Sequence, residues 1–349
     1  MSNLPMQDIS AHPDFDGHEM VIYCNDTATG LRAFIAIHNT TLGPGLGGCR
    51  MKHYESEQEA LSDALRLSRA MSYKYAISGL DYGGAKAVII DNRDARTRSE
   101  RLLAFAKYLE RLGGLYVTAE DAGIETADVR LMSTATRYVR DLPMDDNGEI
   151  ALCTAIGVFH GMKAGLEFAG ISELRGRVIA VEGLGKVGMM LCQLVHESGG
   201  RMVVCDVDPA RVEAARQRFD AQVAEPGTIH RAEADVYAPC ALGAVLNPQT
   251  IPDIRARVIA GAANNQLSVA GEDAHLAERD ILYCPDFVVN AGGVLCVPDR
   301  GSAFELTAAL ERARNIGNTT KSVLDYARKH LMPPGRAADT LALQRLSRS

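Results

Sequence analysis

Gly183, Gly185 and Gly188, in the run GLGKVG, stand at the spacing G-x-G-x-x-G, and an acidic residue, Asp206, follows about 20 positions on. Glycines at this spacing have separate uses. The first permits a tight turn, the second lets a pyrophosphate approach the backbone, and the third lets a helix pack closely on a strand. The N-terminus of the helix that follows offers free N–H groups to the phosphates, and Lys186 and Val187 of the motif are counted with the cofactor site. A carboxylate at Asp206 can hold both hydroxyls of an adenine ribose and repels a 2′-phosphate, which favours NAD over NADP. Arg211 is a counter-signal, but Pro209 separates it from the strand end. The motif alone is common. Here VIAV (178–181) precedes it as a strand, MMLCQLVHE follows as a helix, and MVVCD supplies the next strand.

A second group of residues suits the other half of such chemistry. Hydride transfer needs a substrate held rigidly against a nicotinamide. Oxidising an amino acid also needs a cation for its carboxylate and a base for the amine and for water. Lys74, Lys86 and Asp121 are candidates. A lysine buried near another cation loses its proton more easily, so one of the two can act as a base near neutral pH. Taken singly, each lysine fits a solvated surface better.

These groups need elements to position them. In the first region, to about residue 150, strand-like runs lie near Met20–Cys24 and Leu31–His38, and a glycine-rich stretch, GPGLGGCRM, follows. Ser56 and Glu59 then form an S-x-x-E helix start, and Ala60, Leu61, Ala64, Leu65 and Met71 line one helical face that ends near Lys74. A second glycine-rich stretch, GLDYGGAK, leads through Lys86 into the strand-like run AVII. From 151 to 330 short apolar runs alternate with helical patterns: VIAV, MVVC, DVYAP, VIAG and ILYC. This alternation predicts an α/β fold with a doubly wound, mostly parallel sheet covered on both faces. MPPG (332–335) breaks the preceding helix, and the tail 331–349 is expected to pack back on the first region. Asn264 and Asn290 follow apolar runs, so they are expected at strand C-terminal ends, where open α/β sheets bind ligands. By themselves, Asn264–Asn265 reads as a turn pair and Asn290-Ala291-Gly292 as a helix cap.

MSYKYAISGLDYGGAK, TAEDAG, GLGKVG, DVYAPCALG, GAANNQL and PDFVVNAGGV stand in this order. Together they resemble the leucine, valine and phenylalanine dehydrogenases of the glutamate dehydrogenase superfamily, from about Thr29 to Arg314, with leucine dehydrogenase nearest. The resemblance implies a substrate and oligomerisation domain over 1–150 and an NAD-binding Rossmann domain over 151–330. It implies NAD-dependent oxidative deamination of an L-amino acid to a 2-oxo acid, ammonia and NADH, and the reverse reaction. Lys74 would bind the α-carboxylate, Lys86 would be the general base, and Asp121 would relay protons. Asn264 would also bind the carboxylate, Thr154 and Asn290 would contact the nicotinamide, and Ala238 would lie along the cofactor. A homo-oligomer, dimer or octamer, assembled through the first region is expected. Between about Pro143 and Cys153 the chain departs from the family's usual loop rich in Ser, Gly and Pro.

By the same resemblance Leu46, Ala119, Val294 and Val297 line the side-chain pocket. Glutamate-specific relatives carry a lysine where Leu46 stands. A leucine cannot pair a carboxylate, and burying that charge unpaired would cost several kcal/mol. Ala119 with Val297 matches the leucine and valine enzymes better than the phenylalanine enzymes, which tend to have glycine and leucine there. An aromatic amino acid is the nearer alternative substrate. A catalytically silent NAD-binding regulator is a second alternative, and Lys74, Lys86 and Asp121 argue against it. A hydroxy-acid dehydrogenase is disfavoured because no His with a partnering acid stands out.

Composition agrees with a two-domain enzyme of small molecules. The chain has 349 residues, 47% of them hydrophobic, enough to bury two cores. A net charge of -7 argues against a nucleic-acid or anionic-membrane partner. The eight cysteines form no C-x-x-C pair, so no metal is expected and the thiols read as free. The start, MSNLPMQDISAHPDFD, lacks the apolar core of a targeting segment, and a cytoplasmic location is expected.

Overall fold

Successive side chains in both sheets point to opposite faces, and both faces are covered. The computed structural model describes residues 9–140, 148–269, 271–296 and 305–347. They fall into two compact units, one within Met1–Pro143 and Ala342–Ser349, the other within Met144–Leu341.

The first unit contains β1 (Met20–Asp26), β2 (Leu31–Asn39), β3 (Gly45–Leu46), β4 (Cys49–Lys52), α1 (Glu57–Ile77), β5 (Gly83–Ile90), α2 (Arg98–Arg111), β6 (Tyr116–Val117) and α3 (Thr126–Ser133). The strands form a mixed sheet in the order β1-β2-β5-β3-β6, with β4 also paired to β5. Ile35, Ile37, Ala85, Ala87 and Ile89 meet Leu102, Phe105 and Leu109 of α2 on one face. Phe34, Ala36, Val88 and Ile90 meet Ala60, Ala64 and Leu65 of α1 on the other. Lys86 alternates with Ala85 and Ala87, so it belongs to the α1 face. The start of α1 is capped as its sequence predicts, with Glu59 N–H donating to Ser56 Oγ at 3.2 Å. The Glu59 carboxylate reaches one residue further back than in the usual box, accepting from Glu55 N–H at 3.1 Å.

Two buried histidines fasten β1 and β2 to α1. His18 Nε2 lies 3.0 Å from Ser68 Oγ, and His38 Nδ1 lies 2.8 Å from Ser72 Oγ. Their rings meet edge to face. Near the end of the chain, the Arg345 guanidinium donates to the carbonyls of Tyr75 and Ala76 in the last turn of α1 and of Leu80 just beyond it, and pairs with Asp81.

The second unit contains α4 (Glu149–Phe168), β7 (Val178–Glu182), α5 (Lys186–Glu197), β8 (Arg201–Cys205), α6 (Pro209–Phe219), β9 (Gln222–Val223), β10 (Val236–Pro239), β11 (Val258–Ile259), α7 (Glu272–Ala277), β12 (Leu282–Tyr283), α8 (Asp286–Val289), α9 (Gly292–Leu295), α10 (Leu306–Arg314) and α11 (Ile316–His330). A last helix, α12 (Pro334–Leu346), follows the MPPG break. The sheet order is β12-β11-β10-β7-β8-β9, and every pairing is parallel. Ile179, Val181, Met202, Val204, Val236 and Ala238 face one core, while Ala180, Cys205, Tyr237 and Ile259 face another. Both faces are therefore covered, as a doubly wound sheet requires. Among the described residues no helix is long and apolar enough to cross a membrane.

The histidine fastening makes the first unit sensitive to acid. Burial, reinforced by the neighbouring His18 ring and opposed by Asp16, pushes the His38 pKa down to about 4. Burial also lowers that of His18, against the Leu65 carbonyl and Asp16. An unfolded chain protonates these rings near 6.5, whereas the folded chain resists. Their contribution is therefore complete above about pH 6.5 and is lost as pH falls towards about 4, for His38 a span of about 3 kcal/mol. Urea unfolding midpoints measured across that window should fall with pH, and His38→Gln should flatten the fall. Equal slopes in the two proteins would contradict this assignment.

Candidate active site

The glycine-rich stretch GPGLGGCRM is folded against β5 by close backbone contact. A Cβ at Gly47 would strike the Ala85 carbonyl, and one at Gly48 would strike the Glu120 carbonyl and the Asp121 side chain. Side chains at these positions would push β4 and the 119–121 segment away from Lys86. With glycine in place, Cys49 N–H donates to Ala119 O at 2.9 Å, and β4 runs parallel to β5 with Arg50 opposite Val88.

Three charges converge there. Lys86, only 5% exposed, places Nζ 3.1 Å from Asp121 Oδ2. Arg50 Nε donates to the same oxygen at 2.8 Å. Arg50 also pairs with Asp63 of α1 at 3.2 Å, and Tyr54 donates its hydroxyl to Asp63 at 2.6 Å. Burial holds the Lys86 ammonium below the ordinary lysine range; Asp121 opposes this and Arg50 reinforces it. For Asp121, burial alone would raise the pKa, but Lys86 and Arg50 together hold it below the usual carboxylate value. The result is a lysine that holds its proton less tightly than an exposed one, beside a carboxylate held in its ionised form.

Lys86 and Asp121 are thus brought together. Lys74 is half-buried in the last turn of α1, the helix covering the Lys86 face of β5. Leu46 is buried on β3 between Gly84 and Val117, and Ala119 is half-buried one step before the Glu120–Asp121 pair. The sequence patterns miss Arg50, although it stands inside the GPGLGGCRM stretch. Its signal is a cation two residues beyond a glycine pair, a position whose neighbours only the β4–β5 register reveals.

In the second unit the GLGKVG glycines have three different surroundings. Gly183 has φ +95°, a conformation that favours glycine, and its Cβ position lies against Ala241. Gly188 abuts the Gly183 carbonyl, so any side chain there would part α5 from the turn. At Gly185, the N-cap of α5, the Cβ position faces open space. A closed turn, an open approach and a close helix–strand contact are what a dinucleotide's pyrophosphate needs beside the N–H groups of Lys186 and Val187. Asp206 follows β8 and accepts from Leu184 N–H at 2.6 Å. Ala238 is buried in β10, paired with Val181 of β7.

Beyond β10 and β11 the loops join. Ala263 N–H donates to Pro239 O at 2.9 Å, and Asn290 Nδ2 donates to Asn264 Oδ1 at 2.8 Å. Asn265 adopts φ +52°, so the Asn264–Asn265 pair is also the turn its sequence suggests. Asn290 corrects the expectation of a strand end. Pro285 starts a helical turn after β12, and Asn290 closes that turn as the C-cap of α8. Gly292 then packs on the Cys153 carbonyl and Thr154 Cα, and Gly293 beside it on Thr154 Oγ1, which brings the start of α9 against Thr154; Val294 follows, half-buried. Thr154 itself donates Oγ1 to Ile150 O at 2.9 Å within α4. The departing loop is described only from Gly148, the left-handed N-cap of α4, and Val297 lies outside the described residues.

Residues 18–138 match the family model described as Glu/Leu/Phe/Val dehydrogenase, dimerisation domain. Residues 209–347 match the Glutamate/Leucine/Phenylalanine/Valine dehydrogenase model. The chain is 42% identical to a leucine dehydrogenase of Bacillus subtilis, covering 95% of this chain and 92% of that protein. It is 43% identical to a valine dehydrogenase of Streptomyces virginiae, covering 96% of both. The chain belongs to the glutamate/leucine/phenylalanine/valine dehydrogenase family. Among solved structures, L-tryptophan dehydrogenase from Nostoc punctiforme is similar at 40% identity and a TM-score of 0.85, covering 95% of this chain and 96% of that one. Members of this family are amino-acid dehydrogenases, and this chain is such an enzyme.

Arg50 gives a test of the charge arrangement. Arg50→Gln removes a cation that disfavours the Lys86 proton and frees Asp121 to favour it, so both changes raise the Lys86 pKa. The acidic limb of the kcat/KM profile for oxidative deamination should move to higher pH. An unmoved limb with a uniformly lower rate would show that Arg50 only holds β4 in place.

Proposed function

We propose that this enzyme catalyses the NAD-dependent oxidative deamination of branched aliphatic L-amino acids of the leucine and valine type. The amino acid, water and NAD give the 2-oxo acid, ammonia and NADH, and the reverse reaction aminates the oxo acid. The observation that carries this reading is the buried Lys86 amino group held 3.1 Å from Asp121.

NAD supplies the acceptor for the substrate's α-hydride. The chain's residues do the rest. Lys74 and Asn264 bind the α-carboxylate. Lys86, neutral in its working form, takes a proton from the water that attacks the imine carbon, and Asp121 relays protons to and from Lys86. Gly183, Gly185, Lys186, Val187 and Gly188 hold the pyrophosphate, Asp206 holds the adenine ribose, and Ala238 lies along the cofactor. Thr154 and Asn290 orient the nicotinamide. The preference for NAD follows from the Asp206 carboxylate. Residues 1–150 form the substrate and oligomerisation domain and 151–330 the NAD-binding domain; of the tail 331–349 expected to join the first, only the part from Ala342 groups with it. The dimerisation-domain match over 18–138 supports a homo-oligomer built through that region. A cytoplasmic location fits this metabolic chemistry.

By the family resemblance Leu46, Ala119, Val294 and Val297 meet the substrate side chain, and none of these four residue types can pair a substrate carboxylate. A methylene in such a pocket is worth ~1–3 kcal/mol, so leucine, valine and isoleucine should differ only modestly. The similarity to a tryptophan dehydrogenase favours a second reading, an aromatic substrate on the same machinery.

NADH formation, followed over leucine, valine, phenylalanine, tryptophan and glutamate at alkaline pH, decides between these. Leucine or valine should lead in kcat/KM and glutamate should be poorest. A lead of about tenfold for an aromatic amino acid would overturn the pocket assignment and leave the reaction intact. Leu46→Lys should lower activity on leucine. Lys86→Ala should cost ~10²–10⁴-fold in turnover while NADH still binds. Near-normal turnover in that variant would remove Lys86 as the base.

A further inference from the structure

We infer that Gln266 is a positioning residue for the substrate: its buried side-chain amide holds the backbone on which Asn264 meets the amino acid's α-carboxylate. The inference rests on the reading of Asn264 as a carboxylate ligand.

Gln266 follows the Asn264–Asn265 pair and is completely buried, at 0% exposure. A primary amide taken out of water is costly unless its N–H groups find acceptors. Here Nε2 donates to the Gly261 carbonyl at 2.8 Å and to the Ala263 carbonyl at 3.0 Å. Both of its N–H donors are thereby used. The reversed amide would set an oxygen against two carbonyl oxygens, so the surroundings fix this orientation. Among the described residues Oε1 accepts from no group. The side chain therefore serves this loop as a donor.

The two carbonyls flank Ala262, in the stretch that leads from β11 to Asn264. Asn265 turns the chain with φ +52°, and Gln266 reaches back from beyond that turn to the residues before it. The Gln266 backbone is tied down separately. Its N–H donates to Asp286 Oδ2 at 2.9 Å, and its carbonyl accepts from Leu246 N–H at 2.9 Å. Asn264 is thus held in two ways. Asn290 donates to its Oδ1 at 2.8 Å and to Ala262 O at 3.2 Å, while Gln266 fixes the backbone on either side of Ala262. An asparagine side chain is short, so the backbone decides where its amide can reach. A misplacement of about 1 Å in a substrate-binding group is enough to cost ~10²-fold in rate. An apolar side chain of the same length would fill the same space and offer the two carbonyls nothing, so packing alone does not account for a glutamine here.

Steady-state kinetics tests this, with the amino acid that leads in the substrate panel, in the unmodified enzyme, Gln266→Met, Asn264→Ala and the double variant. Gln266→Met keeps the side-chain length and the backbone bonds to Asp286 and Leu246, and removes the two donors. KM for the amino acid should rise about tenfold, with a smaller change in kcat and with KM for NAD held within about twofold. Asn264→Ala should raise the same KM by more. Because Gln266 works through Asn264, adding Gln266→Met to Asn264→Ala should raise it no further. Effects that multiply in the double variant overturn the proposal. So does a Gln266→Met enzyme whose KM for the amino acid is unchanged, or whose two KM values rise together, the mark of a general loosening of the unit. If Asn264→Ala itself leaves KM for the amino acid unchanged, the carboxylate reading of Asn264 falls and takes this inference with it. Should Gln266→Met fail to fold, Gln266→Asn, which keeps the amide and shortens its reach, takes its place in the same cycle. Failure of both to fold makes Gln266 a folding residue and overturns the positioning role.

Discussion

A lysine inside a β-strand whose residues are all buried needs a reason to be tolerated, and in this chain the reason is Asp121. Strand β5 is buried along its whole length, with Lys86 in the middle of it. An ammonium at such a position without a partner would be severely destabilising or would shed its proton, and breaking a buried pair by removing one partner costs about 3–5 kcal/mol. Asp121 supplies the compensating charge, and Arg50 shares it. Two cations share one carboxylate oxygen, and burial holds the Lys86 pKa below its ordinary value. Much of the first unit's local architecture follows from holding those three groups in place. The bare backbones of Gly47 and Gly48 let the Arg50 and Asp121 segments close on β5. Asp63 of α1 takes the other side of the Arg50 guanidinium. The His18 and His38 contacts keep α1 against β2, the strand that pairs with β5.

The second unit solves a different problem with similar means. Its glycines also remove side chains where backbone must meet backbone, at Gly188 and Gly292, or leave an approach open, at Gly185. The Asn264–Asn290 hydrogen bond joins the loop after β11 to the turn after β12, and Gly292 lays α9 on Thr154. Residues far apart in sequence are thereby held together within this unit.

Much of this was legible in the residues. Apolar runs of four or five residues located β7, β8 and β10, because a strand covered on both faces must be apolar throughout. The S-x-x-E start located α1. The glycine spacing located the turn at 183–188, since positive φ and close approach both demand glycine. Three things were not legible. Arg50 sits among glycines, where nothing local distinguishes a partner of Asp121 from a solvated arginine; only the parallel β4–β5 register does. Pro209 separates Arg211 from the strand end along the chain, but the capped start of α6 returns its guanidinium to within 4.0 Å of Asp206. Asn290 was expected at a strand end because Asp286–Val289 is largely apolar, but Pro285 and Asp286 begin a helical turn instead.

The central claim is that burial, reinforced by Arg50 and opposed by Asp121, holds the Lys86 pKa below the ordinary lysine value. The most direct measurement is an NMR titration of lysine side chains carbon-labelled at Cε, with Lys86 assigned by its disappearance in Lys86→Met. The account predicts that the Lys86 signal titrates clearly below the ordinary lysine value of 10.5, and moves upward in Arg50→Gln. A Lys86 midpoint at or above 10.5, unmoved by that substitution, would contradict it.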